Sequence, residues 1–291
     1  MKTGALIIAG ALMLTGCGGD NSAEFTDQAD TVRDRGGFRT DRAATDVEVT
    51  PYLLAENFRR VAFGSDIAIQ SGAPKRESYQ SNAVLNRWAG PVRYALHGKV
   101  EADDLRNTIS LAKKLRQATG LDIAPAGDAA SSNLDIHFLD RPRRSGLLEA
   151  LRESRLAEFA NAWANAPEWP CAGEFYARRP TGPNGGEITY AVIYIRDELR
   201  ADSRRSCIEE EVSQVLGLPR DDPTVRPSIF NYDEEFVFLT DHDVKLLNIL
   251  YDDRLRAGMS RTEAMPLVRQ IAEELIPPGP KLAARGTGGG G

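Results

Sequence analysis

The residues of this 291-residue chain whose types and spacing suit chemistry are Glu210, Glu211 and Gln214. On a helix, Glu210 and Gln214 lie one turn apart on the same face, so their oxygen atoms could together hold a hard cation such as calcium or magnesium. The carboxylate of Glu211 could act as a general base toward a water molecule. The alternative is a structural acidic segment that pairs with the permanent cation of Arg220.

A helix over about 203–217 must position these side chains. Ile208, Val212 and Val215 recur at helical spacing, which predicts the face that packs into the core. Hydrophobic patterns along the chain predict strands at about 92–96, 133–139 and 188–196, and helices at about 51–62, 101–119, 147–164, 203–217, 240–251 and 260–275. Strands separated by helices, followed by helices alone, indicate an α/β or α+β domain. We assign α+β, with a mixed β-sheet packed against helices.

The composition excludes several classes of protein. The net charge is -6, from 36 Lys and Arg against 42 Asp and Glu. This balance argues against nucleic acid as a partner, because phosphate binding needs a concentrated basic surface. Three His and three Cys are too few for a zinc-finger array.

His97, His137 and His242 lie on separate predicted elements, and their spacing in the sequence predicts no metal or catalytic site. Each is therefore interpreted as a surface or hydrogen-bonded histidine.

The first 17 residues predict where the protein is located. Residues 1–16 combine one positive charge, a short apolar stretch and small residues at the exit, as a secretory signal peptide does. Leu14-Thr15-Gly16-Cys17 resembles the bacterial lipobox. This resemblance implies cleavage before Cys17 and attachment of diacylglycerol and a further acyl chain such as palmitate, which anchor the protein in the membrane. Gly18, where an Asp would favour the inner membrane, favours the outer membrane facing the periplasm. An ordinary signal peptide with an incidental cysteine is the alternative.

The remaining chain divides into three parts. Residues 17–50 are polar and mix both charges, which predicts a lipidated Cys17 followed by a flexible tether. Residues 51–275 are predicted to form one folded domain. Residues 276–291 are rich in Pro and Gly, which predicts a disordered tail.

Cys171 and Cys207 form an even pair once Cys17 is lipidated. In an oxidising compartment such a pair predicts a disulfide. Two buried free thiols or a metal-binding pair are the alternatives. A disulfide would tie the segment before the strand at 188–196 to the acidic helix.

The segment from Glu210 onward is similar to the active-site helix of zincin metallopeptidases, for which the metzincin pattern is H-E-x-x-H-x-x-G-x-x-H. Glu211 and Gly217 match the general base and the turn glycine, whereas the three histidine positions hold Glu210, Gln214 and Arg220. The resemblance implies a zincin-like fold whose active-site helix, about 203–217, is degenerate.

Two downstream segments resemble parts of the same peptidases. Pro227-Ser228-Ile229-Phe230-Asn231 lies where a metzincin has its Met-turn, with Phe230 in place of Met and Ser228 two residues earlier. The pattern Leu239-Thr240-x-x-Asp243, completed by Leu250-Tyr251, resembles the closing helix of matrixin-like peptidases.

The resemblance extends to a bacterial family, domain of unknown function 2927. Its pattern is matched by Phe63-Gly64, Trp88, Thr119-Gly120-Leu121 and a Cys-x-x-Glu-Glu-x-x-Gln-x-Leu-Gly-Leu stretch that begins at Cys207. The similarity covers about 52–260. It implies a fold and a compartment rather than a reaction.

The substituted ligand positions bear on function. Zinc prefers imidazole and thiolate, or a carboxylate beside them, so oxygen donors and an Arg disfavour zinc. We therefore expect no resident cofactor, with calcium or magnesium as the alternative. The first hypothesis is a non-catalytic envelope lipoprotein, a pseudoenzyme that binds a peptide or another envelope protein along an edge strand. The alternatives are an active metal-dependent hydrolase with Glu211 as general base, and a structural module without a groove.

Overall fold

A computed structural model describes residues 22–63, 67–70, 73–76, 83–166, 168–178, 186–231 and 233–277. The predicted signal peptide, the lipidated Cys17 and nearly all of the predicted tail lie outside these ranges. Within them, none of the helices has both the length and the apolar character needed to cross a membrane.

Along the chain, two helices precede the described strands, three lie between strands and three follow the last strand. The helices are α1 (Ser22–Asp34), α2 (Pro51–Ala62), α3 (Ala102–Thr119), α4 (Arg141–Leu151), α5 (Ala157–Ala164), α6 (Ala201–Gln214), α7 (Asp241–Leu250) and α8 (Arg261–Leu275). The strands are β1 (Ile67–Gln70), β2 (Ala73–Arg76), β3 (Arg87–Trp88), β4 (Val92–Gly98), β5 (Ile123–Pro125), β6 (Leu134–Leu139), β7 (Cys171–Ala177) and β8 (Glu187–Arg196).

The main sheet is mostly parallel and has one antiparallel strand. Its strands follow the order β5-β4-β6-β8, and β7 pairs antiparallel with β8 on the other side. Strand β3 adds a short parallel pairing at the start of β8, and β1 and β2 form a separate antiparallel pair. This mixed sheet with helices agrees with the predicted α+β class.

The two faces of the sheet carry different side chains, because successive residues of a strand point to opposite sides. Leu134, Ile136 and Phe138 of β6 join the larger core, to which α6 contributes Ile208 and Val212. The opposite face carries Asp135 and His137 and continues into a smaller core formed with α5. Apolar packing therefore holds α6 against one face and α5 against the other.

A buried ion pair fixes α6 relative to α3. The guanidinium of Arg204 donates to both carboxylate oxygens of Asp104 at 2.7 Å, and both residues are almost fully buried. Arg204 also bonds Asp197, in the turn before α6. Because the pair is buried and bidentate, its loss would leave a charge without its partner inside the protein.

The structure corrects the predicted tether over residues 22–50. Phe25, Ala29 and Val32 recur at helical spacing and are buried on one face of α1. The following segment bonds to the C-terminal part of the domain: the N–H of Phe38 donates to the carbonyl of Glu234 at 2.9 Å. The apolar residues of α1 are few, but their spacing places them on one face of the helix. The prediction of a tether was based on average composition, which does not contain this spacing.

The predicted helix over 147–164 is also corrected. Two helices occupy this region, α4 and α5, and α4 begins at Arg141 because Asp140 caps its first turn. Between them, the N–H of Leu156 donates to the hydroxyl of Ser154. Local hydrogen bonds of this kind compete with a continuous helix. The prediction also lacked α1, β7, β5, β3 and the β1–β2 pair.

Candidate functional site

A disulfide joins the acidic helix to the antiparallel strand. Cys171 at the start of β7 is bonded to Cys207 of α6, with their Cα atoms 5.9 Å apart. The predicted pairing is thus confirmed. On the same helix, Ile208, Val212 and Val215 are buried, so the predicted core face of α6 is also the observed one.

Glu211, the predicted general base, lies against β7. A Cβ atom added to Gly173 would stand 2.9 Å from Glu211 Oε2, so the absence of a side chain at Gly173 makes room for the carboxylate. Glu211 is only 7% exposed. The carboxylate therefore points between the helix and the sheet.

Glu209 also points inward. Its Oε2 accepts the N–H of Leu239 at 3.0 Å, and the residue is 2% exposed. Burial raises the pKa of this carboxyl above its usual range, although the bond from Leu239 and the charges of Arg42 and Lys114 act against the rise. Glu209 therefore links α6 to the segment before α7.

Gln214 and Arg220, which stand at the second and third zinc-ligand positions of the metzincin pattern, are both engaged in bonds within the protein. The amide nitrogen of Gln214 donates to Asp221 Oδ1 at 2.6 Å. Arg220 donates to the carbonyl of Arg60 at 3.0 Å and pairs with Asp222 at 3.1 Å. These bonds fix the course of the chain after the helix.

Gly217 allows a close approach that no other residue could make. Its φ is +120°, and a Cβ atom there would lie 2.0 Å from the carbonyl oxygen of Asn86. Next to it, the indole N–H of Trp88 donates to the carbonyl of Val215, and the hydroxyl of Tyr251 donates to that of Leu216. The end of α6 is thus contacted by two separate parts of the chain, residues 86–88 and Tyr251.

The segment that resembles a Met-turn is a buried turn held by Asp243 of α7. Ser228 Oγ donates to Asp243 Oδ1 at 2.5 Å, and the N–H of Ile229 donates to Oδ2 at 3.1 Å. Thr240 caps the helix in a reciprocal capping box with Asp243. Phe230 is fully buried in the core beside this turn. Asp243 therefore serves both the helix start and the turn.

Glu210 lines a small cavity beneath α1. The cavity has a volume of about 30 Å³, enough to hold a water molecule, and Phe25, Cys207 and Glu234 also line it. Burial raises the pKa of Glu234 above its usual range. The N-terminal helix thus covers the side of α6 that carries Glu210.

The three histidines lie on elements other than α6. His242 is buried in α7, with its Nε2 3.1 Å from the amide nitrogen of Asn57. His97 and His137 come together on the sheet face opposite α6, with ring centroids 4.6 Å apart. The spacing of His97 and His137 in the sequence did not predict that they lie side by side on neighbouring strands.

Asp135 completes a cluster with these two histidines. Its Oδ1 lies 2.9 Å from His97 Nε2 and accepts from Ser132 Oγ at 2.5 Å, while its Oδ2 accepts from the Tyr190 hydroxyl at 2.6 Å. One ligand atom from each of His97, Asp135 and His137 lies within 4.8 Å of the others. Among the residues that the structure describes, this is the group of three that could hold a metal ion.

Burial and hydrogen bonding shape the charges of this cluster. Burial, together with the neighbouring His97, lowers the pKa of His137 to about 4. Burial alone would raise the pKa of Asp135, but hydrogen bonds from Ser132, Tyr190 and His97 outweigh it and hold the pKa below its usual range. At neutral pH the cluster therefore contains a carboxylate beside a neutral imidazole.

The comparison with known proteins identifies a family. A family model described as "Protein of unknown function (DUF2927)" matches residues 52–270. The chain belongs to the DUF2927 family. No curated protein matches it.

The family match separates two parts of this DUF2927 protein. The match begins in α2 and ends in α8, so it contains the whole main sheet, the disulfide, α6 and the His97–Asp135–His137 cluster. Helix α1 precedes the matched region, although Phe25 packs against the matched domain. The helix that covers Glu210 therefore lies outside the matched region.

A sequence signal for the histidine cluster was present. Asp135 and His137 are two residues apart in an alternating strand, so they share one face. The third member could not be placed, because the sequence alone does not show which strand pairs with β6. The register pairs His97 with His137, and this brings the members together.

Proposed function

We propose that this DUF2927 protein is a lipid-anchored protein of the bacterial cell envelope, facing the periplasm from the outer membrane. In this proposal its domain is zincin-like and non-catalytic, and it binds an extended peptide segment of another envelope protein along β7. The observation that carries the proposal is the position of Glu211, seated against Gly173 between α6 and the sheet.

The first support is the set of bonds at the degenerate ligand positions. A catalytic zinc site needs three protein ligands and one open position. Here Gln214 bonds Asp221, and Arg220 bonds Asp222 and a backbone carbonyl. Among the described residues, the group of three metal-ligating side chains with ligand atoms within 4.8 Å of one another is His97, Asp135 and His137, and it does not include Glu211.

The second support is the outer edge of β7, with which no other described strand pairs. The N–H of Arg196 donates to the carbonyl of Pro170, so the alternation of antiparallel bonding turns the backbone groups of Cys171, Gly173 and Phe175 away from β8. Among the described strands, β7 pairs only with β8. An extended peptide could add to this edge by backbone hydrogen bonds, which require no metal.

Selection of peptides tests the binding site. A phage-displayed library of random peptides is selected on the immobilised protein and then compared on two variants. Phe175→Pro removes an outward N–H and is compatible with an edge strand, whereas Phe175→Ala removes the side chain and keeps that N–H. We expect the selected peptides to lose binding to Phe175→Pro and to keep most of it with Phe175→Ala. Equal binding to both variants would show that the peptides do not bind along β7.

Two further assays test the remaining parts of the proposal. Casein hydrolysis that disappears in Glu211→Gln would show an active peptidase and overturn the non-catalytic assignment. For the anchor, we expect globomycin to block processing and Cys17→Ser to release the protein from the membrane fraction. Unchanged processing and fractionation would remove the lipid anchor from the proposal.

A further inference from the structure

The sheet face opposite α6 presents three metal-ligating side chains from two adjacent strands. His97 of β4 lies opposite His137 of β6, and Asp135 precedes His137 by two residues on the same face. Their ligand atoms lie within 4.8 Å of one another. Zinc–ligand distances of about 2.0–2.2 Å put neighbouring donors roughly 3.3 Å apart, so small side-chain rotations would bring the three groups onto one ion.

We propose that His97, Asp135 and His137 form a binding site for a single divalent transition-metal ion, with zinc as the best match. Two imidazoles and one carboxylate are donors that suit zinc and other first-row metals better than calcium or magnesium. This site lies across the sheet from the degenerate ligand positions of α6. It does not depend on the proposed peptide binding.

The residues around Asp135 hold the carboxylate as outer ligands do in metal sites. Ser132 and Tyr190 each donate a hydroxyl hydrogen bond to it, at 2.5 and 2.6 Å. Such bonds orient a ligating carboxylate, and their removal typically weakens metal binding 10–100-fold. The carboxylate is thus already oriented while one of its oxygens contacts His97.

The site is open on one side and lined by aromatic rings on the other. The side chains of His97 and Asp135 are 27% and 16% exposed, so an ion can reach them from solvent. The ring of Tyr194 lies 5.5 Å from that of His137, between centroids. The buried Tyr194 hydroxyl has no hydrogen-bond partner among the described residues, so a donor remains available on this face. Three protein ligands leave a fourth position for water.

The alternative is that His97 and Asp135 form a hydrogen-bonded pair with His137 stacked beside it. That arrangement explains the 2.9 Å contact between His97 and Asp135. Metal titration separates the two explanations, because a structural pair binds no stoichiometric ion.

The test uses the full-length chain in detergent with the substitution Cys17→Ser. The substitution removes a cysteine outside the described residues whose thiol could itself bind zinc. After chelation and removal of the chelator, Zn²⁺ is titrated calorimetrically and Co²⁺ by its visible absorption. We expect one ion per chain and a higher melting temperature in Zn²⁺, since an ion that binds the folded state stabilises it. No stoichiometric binding of either ion would overturn the proposal.

Variants locate the site. His97→Gln and His137→Gln should abolish stoichiometric binding, and Tyr190→Phe should weaken it by about tenfold. Glu174→Gln is the matched control, because Glu174 bonds Tyr176 on the same face but is not a member of the cluster. Because His97 is partly exposed, His97→Gln should fold even if His137→Gln does not, and metal-free circular dichroism checks this. Unchanged zinc affinity in folded His97→Gln would overturn the proposal.

Discussion

Gly173 of β7 leaves the space that the carboxylate of Glu211 occupies. A Cβ atom at Gly173 would lie 2.9 Å from Glu211 Oε2, 3.0 Å from Val215 Cγ1 and 3.3 Å from Ile193 Cγ1. The φ of Gly173 lies outside the left-handed region, so an alanine fits the local backbone. Gly173→Ala therefore tests crowding rather than backbone strain.

The expected magnitude follows from two opposing effects. Overpacking a buried site costs about 1–3 kcal/mol. Replacing Gly by Ala where the backbone permits it stabilises a protein by about 0.4–1 kcal/mol, because it reduces the conformational entropy of the unfolded chain. We therefore expect Gly173→Ala to lower the free energy of unfolding by about 1–2 kcal/mol. Glu211→Ala removes the nearest of the three contacts, so in that background the substitution should cost about 1 kcal/mol less.

A double-mutant cycle by urea denaturation, with the disulfide intact, measures this coupling. Glu211→Gln is the matched control, because it removes the charge and keeps the size of the side chain. In its background Gly173→Ala should retain its full cost. Equal coupling with Glu211→Ala and Glu211→Gln, or stabilisation by Gly173→Ala alone, would refute the seating of Glu211 against β7. The functional proposal would then lose its main support.

Three further predictions concern α6 and its connections. Gly217→Ala should lower the free energy of unfolding by about 3 kcal/mol or more, because it combines a φ of +120° with a direct overlap with backbone. Gly90→Ala, with open space around it, should change the free energy of unfolding by less than about 0.5 kcal/mol, and equal effects in denaturation would contradict this account. The pKa of Glu209 is raised by burial, so its contribution to stability is full below the ordinary value of 4.5 and is lost as pH rises through the folded pKa. Glu209→Gln should therefore gain stability relative to the wild type between pH 4.5 and neutrality, and parallel pH profiles of the two proteins would argue against it. Reduction of the disulfide, which spans a sequence separation of 36, should lower the free energy of unfolding by about 3–4 kcal/mol, and an unchanged urea midpoint would contradict that estimate.

Local patterns predicted much of the secondary structure. The predicted helices at 51–62, 101–119 and 260–275 match α2, α3 and α8 within a residue or two, because their apolar spacing and caps are local properties. Strand β8 was predicted from its continuous apolar and β-branched residues. Strand β7 was not predicted, because Gly173 and Glu174 weaken its apolar alternation.

Helix α1 shows why average composition misleads. The polar composition of this segment predicts that it is unfolded. Yet Phe25, Ala29 and Val32 lie on one face of the helix, and that face packs against the domain. The domain supplies the other half of this contact, including the guanidinium of Arg196, which lies 6.0 Å from the centre of the Phe25 ring. A segment of this kind is stable only beside its partner, so its own residues do not reveal its structure.

Residue types and their order along the chain were enough to assign the DUF2927 family, and they correctly predicted the α+β class and the pairing of Cys171 with Cys207. Each of these depends on residue types and on spacing along the chain. The folded chain was needed to show that Glu211 faces Gly173 and that His97 lies beside His137. These contacts depend on which strands pair and in what register, and a shift of one residue would turn every side chain of β6 to the opposite face.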